Sequence, residues 1–475
     1  MKMMINGQRV DASDGKTVNA VNPATGKVID TFPYATREDV ACALEAAQQG
    51  KADWANTSIS ARAKMLYRFA DLLEKNAEDI ARLQCAETGK PISQARGDVA
   101  NSAALTRNFT ECGKHIESTL HKDLYAAGLG DLAFDVREPL GVVVCIVPFN
   151  YPIDTLLHKV APALIMGNAV IIKPSSDAAL TLIRCTELLL EAGVPGNVAQ
   201  IVTGPGASIG DYLVDTDQID CINFTGSTEA GVSLTQRSAK YLHRVLMELG
   251  GNDPVVIFDD ANIEAAVEDA MSRVSNTGQT CCATKRFIVH NAIREKFTQA
   301  LIERLKKVKV GDPQLDETEM GCCVSEKAAR EIEAQVNETV AQGAALLYGG
   351  TRDGAFYAPT VLGSVTKDMD VAKDMEIFGP VYPIIGFDTE EDAIAIANQT
   401  IYGLNGGVMS GDMIRGLRVA SKIQAGTVVS NGMSQWRSDS APFGGYKMSG
   451  IGREGLNFTL EEMSQLKTIV IKGVK

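Results

Sequence analysis

Long hydrophobic runs are missing from this chain of 475 residues. The apolar stretch from Leu140 to Val147 stops at Pro148, well short of the roughly 20 apolar residues that a membrane-spanning helix needs. The first residues, 1–7, lead directly into polar, turn-forming sequence without the apolar segment of a secretory signal peptide. We therefore expect no membrane partner and a location in the cytoplasm.

Positive charge is also in short supply, with 46 Lys and Arg against 59 Asp and Glu and a net charge of -13. Such a balance argues against nucleic acid as a partner. The ten cysteines include no Cys-x-x-Cys spacing, and the five histidines do not cluster with them. This usage favours reduced thiols over a disulfide scaffold and predicts no metal site.

Two kinds of periodicity divide the chain. Between Arg37 and Ile116, apolar residues recur at spacings of three and four, which predicts a helical layer. From Gly141 onward, short β-rich runs alternate with helical ones, and a second series of the same kind starts at Asn252. This alternation is typical of parallel sheets with crossover helices, the usual home of a dinucleotide. At this length, more than one structural unit is expected.

The motif Gly278-Gln279-Thr280-Cys281-Cys282-Ala283 is the most informative segment. Its first cysteine lies 33 positions after Glu248, which belongs to Met247-Glu248-Leu249-Gly250-Gly251-Asn252. A cysteine among small residues and a separate carboxylate are what thiol-based covalent catalysis with a general base requires. An isolated cysteine is more often a small buried hydrophobe. The catalytic interpretation therefore depends on the cysteine motif and the glutamate motif occurring in the same chain. The pair indicates an enzyme that oxidises aldehydes.

The whole chain resembles the NAD(P)-dependent aldehyde dehydrogenases of the broad aldehyde dehydrogenase superfamily. The similarity runs through three long motifs in the family order: Val21-Asn22-Pro23-Ala24-Thr25-Gly26, Glu87-Thr88-Gly89-Lys90-Pro91 and Pro442-Phe443-Gly444-Gly445-Tyr446-Lys447-Met448-Ser449-Gly450. It implies an α/β fold with a Rossmann-like cofactor-binding domain, an α/β catalytic domain and a small β oligomerisation element.

We expect the dinucleotide-binding domain at residues 1–118 and 140–249 and the catalytic domain at 250–445. The oligomerisation element is expected at 119–139 and 459–475. His121 to Glu138 reads as a strand pair broken at Gly128-Leu129-Gly130. Together with Thr468 to Ile471 it would form an edge that pairs with another subunit, which predicts a homo-oligomer, either a dimer or a tetramer.

The resemblance implies three catalytic residues. Cys281 matches the family nucleophile, which forms a thiohemiacetal and then a thioester. Glu248 matches the general base, and Asn150, in Pro148-Phe149-Asn150-Tyr151-Pro152, matches the donor that stabilises the tetrahedral oxyanion. Cys282 is expected to be structural, with a disulfide to its neighbour on oxidation as the alternative.

The resemblance also implies a site for NAD or NADP. Lys173 matches a lysine that binds the adenosine ribose, and Ser227 opens a helix whose N-terminus can receive the pyrophosphate. Ser176 stands where NAD-preferring members often have a glutamate that would repel a 2′-phosphate, so we expect NADP to be accepted. The full set of expected cofactor-binding residues is Pro148, Phe149, Lys173, Ser176, Gly206, Gly226, Ser227, Glu376 and Phe378.

Three basic residues, Arg107, His158 and Arg437, are expected to line the substrate tunnel. On so acidic a chain, they would suit a small aldehyde with a carboxylate, phosphonate, sulfonate or phosphate tail. Some local patterns resemble lactaldehyde, phosphonoacetaldehyde and non-phosphorylating glyceraldehyde-3-phosphate dehydrogenases, and others resemble succinate-semialdehyde dehydrogenases. Oxidation of neutral hydroxyaldehydes such as lactaldehyde, and a catalytically silent structural relative, remain as alternatives.

Overall fold

The computed structural model describes residues 1–122 and 130–474. In chain order the strands are β1 (Met3–Ile5), β2 (Gln8–Val10), β3 (Thr17–Val21), β4 (Val28–Pro33), β5 (Leu120–His121), β6 (Leu132–Pro139), β7 (Val142–Val147), β8 (Ala169–Pro174), β9 (Ala199–Ile201), β10 (Cys221–Thr225), β11 (Arg244–Glu248), β12 (Pro254–Ile257), β13 (Arg286–His290), β14 (Ala345–Tyr348), β15 (Arg352–Asp353), β16 (Phe356–Tyr357), β17 (Thr360–Val365), β18 (Val381–Phe387), β19 (Asn405–Met409), β20 (Thr427–Ser430), β21 (Gly450–Ile451) and β22 (Ser464–Ile471).

The α-helices, also in chain order, are α1 (Arg37–Asn56), α2 (Ile59–Lys75), α3 (Ala77–Thr88), α4 (Ile92–Lys114), α5 (Pro152–Ile165), α6 (Ala179–Glu191), α7 (Asp211–Val214), α8 (Thr228–Ser238), α9 (Ile263–Ala270), α10 (Asn291–Leu305), α11 (Glu326–Ala341), α12 (Glu390–Asn398), α13 (Met413–Ala420) and α14 (Leu456–Glu462). The predicted helical layer between Arg37 and Ile116 corresponds to α1–α4. The predicted α/β architecture is confirmed.

The first sheet has the strand order β2-β1-β9-β8-β7-β10-β11-β21. Its five central strands, β7 to β11, are parallel, and every residue of β7 is buried. A strand covered on both faces requires the continuous apolar run Val142–Val147 that the sequence shows. The chain moves outward from β7 to β8 and β9, then crosses to β10 and β11 on the other side. The carboxyl ends of β7 and β10 therefore flank the switch point where such sheets bind ligands.

The second sheet has the order β14-β17-β18-β13-β12-β19-β20, and only β14 runs antiparallel to its neighbour. Before Cys281, α9 ends at Ala270 and a tighter 3-10 segment starts at Met271, which non-helical backbone at residues 275–277 interrupts. That change of geometry just before Cys281 shapes the loop that presents the thiol.

The third sheet, in the order β22-β6-β5, contains the segments expected to join subunits. Strand β22 pairs with β6 from Ser464 to Ile471, and its apolar side chains Leu466, Ile469, Val470 and Ile471 are exposed. Of the break predicted at 128–130, Gly128 and Leu129 lie outside the described residues. An apolar edge strand suits pairing with a second copy, and the homo-oligomer stays a prediction.

Within the described ranges, 1–122 and 130–474, no helix is long and apolar enough to cross a membrane. The same residues contain no group of His, Cys, Asp and Glu side chains that could hold a metal ion.

Candidate active site

Cys281 follows a tight loop that carries the Gly-Gln motif. Asn276, Thr277 and Gly278 all have positive φ, and a Cβ at Gly278 would lie 2.3 Å from the carbonyl of Gly379. Only glycine fits this close approach. Gln279 fixes the loop from within, because its side chain donates to Asn276 O (3.1 Å) and accepts from Val324 N (2.9 Å). The sequence motif thus holds Cys281 half-exposed at a defined place.

Glu248 is the last residue of β11, at the carboxyl edge of the first sheet. The residue is 6% exposed, and its Oε2 has no hydrogen-bond partner among the described residues. Burial and the nearby Glu454 carboxylate raise the pKa of Glu248 well above its usual range. A carboxyl group with a raised pKa and a free oxygen is suited to accept a proton near neutral pH.

Cys281, Glu248 and Asn150 line one cavity of about 280 Å³. Asn150 is buried directly after β7, and its side-chain amide donates to Gln279 O at 3.0 Å. The structure therefore brings the three predicted catalytic residues together from three separate parts of the sequence. Asn150 also touches the loop of Cys281, which is where a donor to an oxyanion on that thiol must lie.

Arg437 is the one member of the predicted trio of basic residues that lines this cavity. Its guanidinium lies 4.3 Å from the Phe443 ring centroid and donates to Glu454 Oε2 at 2.8 Å. Glu454 also pairs with Lys159, whose Nζ is 3.2 Å from its Oε1. Burial acts to raise the pKa of Glu454, but the Lys159 and Arg437 cations prevail and hold it well below its usual range. Glu454 thus lies between two cations, and the carboxyl groups of Asp154 and Glu248 line the same cavity.

The structure corrects the expectation for His158. Its ring is 1% exposed, packs edge-on against Phe109 and has Nε2 3.7 Å from Asp154 Oδ2. Burial, with Arg437 nearby, lowers the pKa of His158 well below its usual value. His158 does not line the cavity, and its lowered pKa disfavours the cationic form that an anionic tail would need.

Arg107 also differs from the expectation. It lies on the outer side of α4, where its guanidinium donates to Asp71 Oδ1 at 2.6 Å and to Glu74 Oε1 at 2.7 Å. Long helices present residues to both faces, and the sequence spacing alone did not separate the two. Arg107 does not line the cavity. Of the three basic residues expected in the tunnel, Arg437 alone is in the lining.

The expected cofactor residues lie at the carboxyl ends of parallel strands. Pro148 and Phe149 follow β7. Lys173 stands near the end of β8, and Ser176, three residues after Lys173, is exposed. Gly206 comes after β9, and Gly226 and Ser227 come after β10, where the Ser227 hydroxyl accepts from Ala230 N at 3.3 Å and caps α8.

This set fits a dinucleotide. The first-turn amides of α8 face the switch point and can receive a pyrophosphate. Burial lowers the pKa of Lys173 to about 8, and its Nζ donates to Pro174 O at 2.9 Å, so the ammonium stands at the strand edge, three residues before the exposed Ser176. A cation and a hydroxyl at this edge are the partners that a ribose or its phosphate requires.

Glu376 and Phe378 line a separate cavity of about 310 Å³ together with Phe149 and Gln279. The rings of Phe149 and Phe378 meet edge to face, with centroids 6.2 Å apart. Glu376 accepts from Gly251 N at 3.2 Å and pairs with Lys285 at the same distance. Gln279 borders this space and immediately precedes the Thr280-Cys281 segment of the catalytic cavity, so the two spaces adjoin at the thiol loop.

The sequence did not single out three charged residues that shape the site: Lys159, Lys285 and Glu454. Lys159 sits in the apolar helical run Leu156-Leu157-His158-Lys159-Val160, and a lone cation in such a run is a recognisable sign of a buried ion pair. Glu454 gave no comparable sign, because its partners lie in distant parts of the chain.

Two α/β sheets that meet at a cavity with a cysteine and a buried carboxyl group are typical of dehydrogenases that form a thioester on the protein. The chain belongs to the aldehyde dehydrogenase family, whose model matches residues 10–469. It is therefore an oxidoreductase, as the motifs predicted.

Curated relatives cover nearly the whole chain. A mitochondrial succinate-semialdehyde dehydrogenase of Arabidopsis thaliana is 36% identical over 98% of this chain and 88% of its own length. A glutarate-semialdehyde dehydrogenase of Pseudomonas putida is 35% identical over 98% and 97%. A lactaldehyde dehydrogenase of Methanococcus aeolicus is 33% identical over 99% of both chains.

Solved structures share the whole fold. An NADP-dependent enzyme from E. coli has a TM-score of 0.96 at 33% identity and covers 99% of this chain and 98% of its own. A betaine aldehyde dehydrogenase from Staphylococcus aureus in complex with NAD+ has a TM-score of 0.96 at 35% identity, covering 99% and 95%. The relatives thus agree on the family and differ in the aldehyde and cofactor that their names give.

Proposed function

We propose that the protein oxidises a small anionic aldehyde to its carboxylic acid with NAD or NADP, through a thioester on Cys281 that water hydrolyses. The observation that carries the proposal is the single cavity lined by Cys281, Glu248, Asn150 and Arg437. It combines a nucleophile, a base, an oxyanion donor and a cation for a substrate tail.

In the first stage the Cys281 thiolate attacks the aldehyde carbon and a tetrahedral thiohemiacetal forms. The Asn150 amide and the backbone N–H of Cys281 stabilise its oxyanion, an arrangement typically worth about 3 kcal/mol for each donor. Nicotinamide, when bound, would supply the hydride acceptor, and loss of hydride with collapse of the oxyanion would give the thioester. Phe149 and Phe378 line the space that would hold the ring.

In the second stage Glu248 takes a proton from a water molecule as that water attacks the thioester. The carbon–sulfur bond breaks, the carboxylic acid leaves and the Cys281 thiolate is restored. The unpartnered Oε2 of Glu248 supports this role, since an oxygen free of protein donors can accept from water. Its raised pKa makes it a stronger base than an exposed glutamate.

The case for an anionic substrate rests on Arg437. Its guanidinium is held by Glu454 and by the face of Phe443, and it still lines the cavity. A guanidinium fork offers several N–H donors, so one contact with Glu454 leaves others for a carboxylate or phosphonate. The succinate- and glutarate-semialdehyde dehydrogenases among the relatives act, by name, on aldehydes with such a tail.

Replacing Arg437 by glutamine tests the tail contact. We expect the KM for succinate semialdehyde to rise about tenfold to a hundredfold, since a charged hydrogen bond is worth about 1.5–3 kcal/mol. The KM for butanal, which has the same chain length without the charge, should stay nearly constant. Initial rates with both aldehydes provide the measurement, and Arg107→Gln, outside the cavity, is the matched control. Equal losses on both aldehydes for Arg437→Gln would remove it from tail recognition.

We further propose that NADP is accepted. Ser176 leaves room and no negative charge beside Lys173, so nothing at this position repels a 2′-phosphate. We expect Ser176→Glu to lower kcat/KM for NADP by about tenfold or more through charge repulsion, with NAD little affected. Ser176→Gln has the same size without the charge and should keep NADP use. Should the glutamate variant lose NAD and NADP equally, Ser176 would have no part in the discrimination.

The second candidate is oxidation of a neutral hydroxyaldehyde, which the lactaldehyde dehydrogenase among the relatives favours. Asp154 and Glu454 bring two carboxyl groups to the cavity lining, and either can accept a hydroxyl hydrogen bond. A silent structural relative is a weaker candidate, because the nucleophile, base and oxyanion donor share one cavity. A homo-oligomer formed through the edge of β22, and a cytoplasmic location, complete the proposal.

A further inference from the structure

Lys285 is a buried cation outside the roles described above. Its side chain is 1% exposed, and its Nζ donates to the carbonyl oxygen of Cys281. The same Nζ lies 3.2 Å from Glu376 Oε1 and 5.9 Å from the centroid of Phe378. One ammonium group therefore contacts the residue that carries the nucleophile and the carboxylate that borders the nicotinamide space.

The backbone around Lys285 keeps this charge in place. The amides of Lys285 and Arg286 both donate to Asp253 O, at 2.9 and 3.0 Å, just before β13 begins. The Arg286 side chain continues the anchor by donating to Asn252 O at 2.7 Å. A lysine so fixed cannot move its ammonium far from the Cys281 carbonyl. A buried charge is costly unless it is paired, so its retention beside the thiol calls for an explanation.

Charged and titratable groups face Cys281 from several elements. Cys282 and burial raise the pKa of the Cys281 thiol well above its usual range, and Lys285 and Arg437 oppose that rise. The carboxyl groups of Glu248, at the end of β11, and of Asp253, just before β12, also interact with Cys281. Burial raises the pKa of both groups, and their ionised forms oppose a thiolate. Lys285 is hydrogen-bonded to Cys281 itself. We therefore expect its charge to affect the ionisation of the Cys281 thiol directly.

We infer that Lys285 is a positioning residue that favours the thiolate form of Cys281, and that Glu376 partly neutralises this charge while its carboxylate is free of a ribose. The inference rests on the proposed role of Cys281 as nucleophile. Because Glu376 is also the carboxylate expected to bind the nicotinamide ribose, engagement of that ribose would weaken its pairing with Lys285. The thiol would then be activated when the hydride acceptor is in place.

The test is the rate at which iodoacetamide alkylates Cys281 across the pH range in which thiols titrate, without cofactor or aldehyde. Fragment-ion masses distinguish Cys281 from Cys282. Lys285→Met keeps the length of the side chain and removes its charge, and we expect the rate at neutral pH to fall about tenfold with a midpoint at higher pH. Lys285→Arg should stay within about threefold of the unmodified protein. A purely structural lysine would not move the midpoint.

Glu376→Gln should change the alkylation rate of Cys281 in the opposite direction, because it removes the carboxylate that pairs with Lys285. We expect about threefold faster alkylation at neutral pH. Thermal unfolding of each variant verifies that it folds, and Lys285→Gln replaces the methionine variant if that one does not. If neither neutral variant folds, the Glu376→Gln comparison decides, and an unchanged or slower rate would overturn the inference.

An unchanged midpoint in a folded Lys285→Met or Lys285→Gln protein would also overturn the inference. That result would leave the proposed function intact as long as Cys281→Ala is inactive. Turnover in Cys281→Ala would instead remove the nucleophile itself, so the two failures are distinguishable.

Discussion

Cys281→Ala abolishes aldehyde-dependent reduction of NAD and NADP, with a loss of at least about a thousandfold expected for a missing covalent nucleophile. The reason is that hydride leaves only from the tetrahedral thiohemiacetal on this sulfur. Absorbance of the reduced cofactor measures both the first turnover and the steady state. Both should vanish together, because in the proposed mechanism hydride transfer follows formation of the carbon–sulfur bond.

Cofactor binding separates loss of chemistry from loss of structure in this variant. Cys281 lines the catalytic cavity and does not belong to the strand-end set near Lys173 and Ser227, so the Kd for NAD or NADP should remain close to that of the unmodified protein. Cys42→Ala is the matched control, since Cys42 is an exposed thiol on α1 and should leave turnover unchanged. Normal turnover in Cys281→Ala would refute the thioester mechanism.

Glu248→Gln slows steady-state turnover by about a hundredfold to ten-thousandfold, the range that general-base catalysis supplies. Hydride transfer in the first turnover should persist, because Glu248 acts mainly when water attacks the thioester. Rapid mixing should therefore reveal a burst of reduced cofactor followed by a slow phase. Glu303→Gln, an exposed residue paired with Lys306, serves as the control and should behave like the unmodified protein.

The pH dependence of turnover gives a second signature of Glu248. The base works in its ionised form, so the rate falls as the pH drops through its pKa. Burial and Glu454 hold that pKa above its usual range, which places the acid limb of kcat at a higher pH than an exposed glutamate near 4.3 would give. The limb should disappear in Glu248→Gln. If the acid limb lay at the same pH in the unmodified protein and in Glu248→Gln, it would reflect the titration of another group.

The fold was largely predictable from the sequence because parallel strands buried on both faces leave a continuous apolar signature. The apolar stretch that stops at Pro148 contains β7, Val142–Val147. The paired N-terminal strands β1 to β4 were not anticipated, since strands of three to six residues are too short to show a clear periodicity. Strand β11, which carries Glu248, was equally weak as a pattern.

The candidate site was predictable where the signal is a motif and unpredictable where it is a long-range contact. The loop of Cys281 requires a glycine at 278, and the Gly-Gln motif in the sequence supplies it. Arg107 and His158 were expected in the tunnel from their place near lining helices. The direction of the Arg107 side chain depends on Asp71 and Glu74, and the surroundings of His158 include Phe109. No local sequence pattern reveals these partners.

The most direct test of the central claim is a comparison of initial rates for matched aldehydes with NAD and with NADP. Succinate semialdehyde and phosphonoacetaldehyde represent anionic tails, and lactaldehyde and butanal represent neutral ones. We predict a kcat/KM at least about tenfold higher for an anionic aldehyde, as one charged contact to Arg437 would give. Equal or higher values for lactaldehyde and butanal would contradict the account, and the protein would then be a dehydrogenase of neutral aldehydes in which Arg437 serves only to pair with Glu454.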